Sequence, residues 1–182
     1  MENSIGGIES SSMAKGYEIS DTMLKTAKIR LLLSRTICPG KFMILVAGNV
    51  ADVESAVKAG CDCAAEALVD SFTIPNIHPD IFPAIEGTCQ VPKLEALGII
   101  ETFSVASTIE AADAAVKSAN VKPIELKLAM AMGGKGMATF TGSVAAITTA
   151  IDVAAANAGF KGLLVQKTVI PQPRQELLSE II

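Results

Sequence analysis

The chain is written twice, and that limits what it can fold into more than any other feature. Ile5-Gly6-Gly7-Ile8-Glu9-Ser10 returns as Leu97-Gly98-Ile99-Ile100-Glu101-Thr102, an offset of 92 from Glu9 to Glu101. Asp21, Lys25 and Ala27 return as Asp113, Lys117 and Ala119 at the same spacing. Gly40-Lys41 then answers Gly134-Lys135, and Gly48-Asn49-Val50 answers Gly142-Ser143-Val144, at 94. Ile74-Pro75 answers Ile170-Pro171 at 96. A period of this length, kept across strands and relaxed in turns, means a duplicated domain. The copies divide as residues 1–90 and 91–182, with a Gly/Pro-bearing seam near Glu86 to Pro92.

Each copy reads as the same six elements. A short β-branched run opens it (Ile5–Ser10; Leu97–Ser104), and a helix carrying Met23, Leu24 and Ala27 follows, with Asp21 expected in an early turn. A strand (Ile29–Arg35; Ile124–Met130), a Gly-bearing turn and a second strand (Phe42–Ala47; Met137–Thr141) form a hairpin signal. Asn49 or Ser143 suits the N-cap of an Ala/Val-rich helix, and a last strand stops at Ile-Pro, where proline cannot continue a ladder. The order β-α-β-β-α-β is the split βαβ, ferredoxin-like arrangement, so the fold class is α+β with two tandem domains. Fold alone does not assign a function.

Half of the 182 residues are hydrophobic, yet 4% are aromatic and none is Trp. Cores built from Ala, Val, Ile and Leu bury little area per residue, so small domains of this kind gain from oligomerisation. A net charge of −4 without a Lys/Arg run argues against a nucleic-acid partner. No apolar run is long enough to span a membrane, and Met1 to Gly7 lacks the basic and apolar regions of a secretory signal. Four Cys without paired spacing point to a reducing cytoplasm.

The repeated word Gly-Ile-Glu…Ala-Lys-Gly…Asp-x-Met-Leu-Lys-x-Ala resembles bacterial microcompartment shell domains. So does Gly48-Asn49-Val50-Ala51-Asp52-Val53-Glu54-Ser55-Ala56-Val57-Lys58-Ala59-Gly60. Two fused copies resemble the trimer-forming, pseudohexameric subclass. Ser34-Arg35-Thr36-Ile37-Cys38-Pro39-Gly40-Lys41-Phe42 is similar to the PduT-type subclass of propanediol-utilisation compartments, which is associated with a [4Fe–4S] cluster on the trimer axis. The resemblance implies a homotrimer with one cluster per trimer, held by Cys38 from each chain. Thr36, Ile37, Pro39 and Gly40, with Gly133 and Gly134 of the second copy, would line the pore. It also implies a place in the shell of a compartment in the bacterial cytoplasm, beside other shell proteins and an encapsulated redox enzyme. Electron transport across the shell, or cluster delivery, is the expected role; a cofactor-free metabolite pore is the alternative.

Symmetry makes the metal reading physically sound. A three-fold axis turns one loop thiol into three convergent thiolates, one short of the usual four for a four-iron cube. By residue type alone, Cys38 reads as a small apolar turn residue with no metal. The resemblance further places Lys25 and Lys117 at the tile edge; otherwise they read as solvated lysines. Where the family often carries Arg after Ile-Pro, this chain has Asn76 and Gln172. Cys61 and Cys63 read as packed small residues and His78 as a surface residue. Gly40-Lys41 and Gly134-Lys135 lack the full phosphate-loop pattern. One His and no nucleophile–base constellation argue against an enzyme.

Overall fold

A computed structural model describes residues 3–91, 93–130 and 132–177. The chain divides into two compact units, Met1–Ile77 and His78–Ile182, so the seam stretch 86–92 lies inside the second unit.

The first unit runs β1 (Ser4–Ser10), α1 (Met13–Thr26), β2 (Arg30–Ile37), β3 (Lys41–Gly48), α2 (Val50–Ala64) and β4 (Leu68–Pro75). Its sheet has the order β2-β3-β1-β4 with every neighbouring pair antiparallel, as the split βαβ reading expects. Ile8, Ile44, Val46 and Phe42 from the strands meet Ile19 and Met23 of α1 and Val53 and Ala56 of α2 in one buried cluster. Asn49 caps α2, its side chain accepting from the Asp52 amide at 2.9 Å.

Helix α1 begins earlier than the sequence pattern suggests. Ser12 is its cap, accepting from the Lys15 amide, so Asp21 stands in mid-helix and not in the first turn. The apolar stripe is weak there because Gly16 and Ser20 occupy buried positions. Gly16 takes the face of the Phe42 ring, and the Ser20 and Ser34 hydroxyls meet at 2.9 Å.

The second unit opens with a helix that the sequence reading did not include, α3 (Ile81–Glu86). It buries Ile81, Phe82 and Ala84 and ends at Gly87, whose φ of +67° suits a left-handed C-cap. Then follow β5 (Ala96–Thr102), α4 (Val105–Ser118), β6 (Lys122–Leu128), β7 (Gly136–Gly142), α5 (Val144–Phe160) and β8 (Leu164–Pro171). The sheet order β6-β7-β5-β8 repeats the first. Ser104 and Ser143 cap α4 and α5.

Candidate functional site

The β2–β3 hairpin closes on the pair Ile37 and Lys41, leaving Cys38, Pro39 and Gly40 as a three-residue turn. Gly40 has φ +75° and open space around its α-carbon, so glycine is needed there for backbone conformation and not for room. The Cys38–Pro39 peptide is cis. Cys38 is an exposed free thiol, and Pro39 and Gly40 are exposed beside it.

The base of the turn is held on both sides. Ile37, expected at the pore, ends β2 with 5% exposure and packs into the unit. Thr36 stays exposed on the same strand. Lys41 Nζ donates to Glu9 Oε1 at 2.5 Å, tying the first residue of β3 to β1. Sequence reasoning used Glu9 and Lys41 only as marks of the repeat. The recurrence of both types in both copies was the available signal, for Lys135 donates to Glu101 in the second unit.

The second hairpin differs. Its link spans 129–135, four residues longer than the first, with Ala129, Gly133 and Gly134 all at positive φ. Ala129 N–H donates to the Lys135 carbonyl at 3.0 Å and Lys135 N–H to the Met132 carbonyl at 3.2 Å. This turn carries no thiol among its residues.

The two edge lysines also differ. Lys25 pairs with Asp21 at 2.5 Å, with 74% and 61% of the two side chains exposed. Lys117 pairs with Asp113 at the same distance, but Asp113 is 12% exposed and its other oxygen accepts from the His78 amide at 2.7 Å. Asn76 and Gln172, where the resemblance leads one to look for Arg, both hold positive φ directly after the strand-ending prolines.

Cys61 and Cys63 are half-buried in the last turns of α2 against the first unit's core. Cys89 lies before β5, where burial, and secondarily the Asp80 carboxylate, push its thiol above the ordinary range. Among the described residues, no group of three His, Cys, Asp or Glu side chains within one chain could hold a metal ion. Cys38 fits an iron ligand in kind, as a soft sulfur donor on an exposed turn. In number it fits only if other chains supply the remaining thiolates.

The BMC domain family matches residues 4–77 and 96–173, which cover most of both units. The chain belongs to the bacterial microcompartment shell-protein family. A shell protein of this family from Citrobacter freundii, PduT, is 44% identical over 182 residues, covering 100% of this chain and 99% of that one. The shell protein EutM of Salmonella typhimurium is 45% identical over 84 residues, which is 46% of this chain and 85% of EutM. A solved microcompartment protein from Desulfitobacterium hafniense superposes with a TM-score of 0.96 at 42% identity, covering 98% of this chain and 99% of that one. This member of the family is therefore a tandem of two BMC domains. No described helix is long and apolar enough to cross a membrane.

Proposed function

We propose that three copies of this shell protein assemble about an axis ringed by their Cys38 turns, and that the three thiolates hold one [4Fe–4S] cluster there. The observation that carries the reading is the position of Cys38. It stands exposed at the tip of a turn whose base is pinned by Ile37 packing and the Glu9–Lys41 pair. A thiol so placed is presented by the sheet without being covered by it. The full-length match to PduT supports the same reading at the level of the whole chain.

Each chain supplies one sulfur donor, one rigid turn and, through Lys25 and Lys117, cationic helix ends for contacts with neighbouring shell proteins. A four-iron cluster at such a place supplies one-electron chemistry, which suits electron passage across a shell to an enclosed redox enzyme, or cluster delivery. Three thiolates leave one iron without a protein sulfur, open to water or to a donor from another protein.

Anaerobic purification followed by iron and sulfide analysis tests this directly. The expected content is about four irons and four sulfides per three chains. Cys38→Ser should lose both while the trimer survives on a sizing column. Iron-free wild-type trimer after anaerobic reconstitution would leave a plain metabolite pore as the function.

A further inference from the structure

We propose that the run from Leu177 to Ile182 of one copy packs on the edge formed by α1 and β2 in the first unit of the next copy, as α3 packs on the edge formed by α4 and β6. The inference rests on the assembly of copies proposed above, and not on the cluster or on Cys38.

The second unit shows what covers such an edge. Helix α3 lies against β6 and α4. Pro83 of α3 and Pro123 of β6 line one cleft of about 280 Å³. On this edge Val116 is 9% exposed, and Pro123 and Ile124 are buried. Among the described residues the first unit has no helix in that place. The repeat register makes Leu24 the equivalent of Val116, Leu31 of Pro123 and Leu32 of Ile124. Leu24 is 43% exposed, Leu31 is 39% exposed and Leu32 is half-buried. The first edge is thus more open at all three positions where the second is closed. β2 is moreover an edge strand, where exposed apolar residues invite a partner.

A matching cover is written in the sequence. Helix α3 follows the last strand of the first unit, and the run past β8 follows the last strand of the second in the same register. Asn76 and Gln172 both take positive φ, and Ile77 and Pro173 behind them are both buried. At the same offset of 96, Ile81, Phe82 and Ile85 become Leu177, Leu178 and Ile181. Residues 178–182 lie outside the described residues. Ile81 and Phe82 are buried, whereas Leu177 is 41% exposed in the single chain. An apolar run without a covered seat therefore answers an apolar edge without a cover. Helix α3 serves the unit that follows it in sequence. In a ring of copies, the unit that follows the second is the first unit of the neighbour, and a head-to-tail contact of this kind closes the ring.

Two measurements on the full-length protein test the exchange. Leu24→Asp with Leu31→Asp changes exposed positions, so the chain should keep its circular dichroism spectrum. Its trimer association, by sedimentation equilibrium, should weaken by about tenfold or more. Separately, chains carrying Leu31→Cys are co-expressed with chains carrying Leu178→Cys and oxidised in air with copper phenanthroline. Peptide mass spectrometry should find a disulfide between positions 31 and 178, which in this mixture joins two copies. A disulfide that forms only when both substitutions sit on one chain assigns the run to its own first unit and overturns the exchange. Wild-type trimer whose association is unmoved by the Asp substitutions overturns this inference and leaves the assembly standing. Wild-type monomer overturns both.

Discussion

Gly16 shows how a single position can set the packing of a whole face. A β-carbon built there would lie 2.3 Å from the Phe42 ring, and Phe42 is fully buried. The ring sits in the first unit's core cluster and also contacts Tyr17 at a centroid distance of 4.8 Å, so any retreat displaces neighbours. Gly16→Ala should therefore destabilise by about 1–3 kcal/mol, read as a lower urea midpoint at unchanged slope. An unshifted midpoint would mean that α1 slides to make room. The sequence shows Gly16 within the repeated shell-domain word, but a word does not say which ring lies opposite. The cysteines offer a second check at this scale. Burial raises the Cys89 thiol above its ordinary range, so at a given pH it holds less thiolate than an unshifted thiol. In metal-free protein at pH 8, alkylation should label exposed Cys38 well before Cys89, as mass spectrometry of the labelled peptides would show.

Helices α1 and α4 carry the same Asp–Lys pair at the same register, yet the two pairs do different work. In α1 both partners stand mostly in water, where such a pair contributes little. In α4 the carboxylate is nearly buried and also receives the His78 amide, so the pair anchors the segment that leads into α3. Asp113→Asn should cost about 1–3 kcal/mol, against about 0.5 kcal/mol or less for Asp21→Asn, both by chemical denaturation. Equal costs would show that the His78 contact adds nothing. The recurrence of Asp and Lys was plain in the sequence; the second partner of Asp113 was not, since the His78 amide comes from a segment 35 positions away in the chain. Helix α3 escaped notice because its six residues, one of them Pro83, are too few to display a period. The start of α1 escaped for a related reason: Gly16 and Ser20 do the packing that apolar residues do elsewhere, so the stripe fades where the helix begins.

Across the whole molecule, the duplicated fold was legible because period and turn chemistry agree in both copies, from the Asn49 and Ser143 caps to the Ile-Pro strand ends. The candidate site was legible only in part. Cys38 is visible as a residue, but the count of ligands is a property of the assembly, which one chain does not spell out. That distinction can be measured. If wild-type and Cys38→Ser chains are mixed as unfolded or newly made protein, trimers form at random. A cluster needing all three thiolates should then fall as the cube of the wild-type fraction. An equal mixture would retain about one-eighth of the wild-type iron, while any site served by a single chain would retain about one-half. Iron that declines in direct proportion to the wild-type share therefore speaks against a shared axial site, whatever the colour of the protein. A cubic decline ties the metal to three turns at once. The second unit cannot supply a missing thiolate in such mixed trimers, because its own turn is longer, takes positive φ at Gly133 and Gly134, and has Met132, a thioether that cannot form a thiolate, at the position of Cys38.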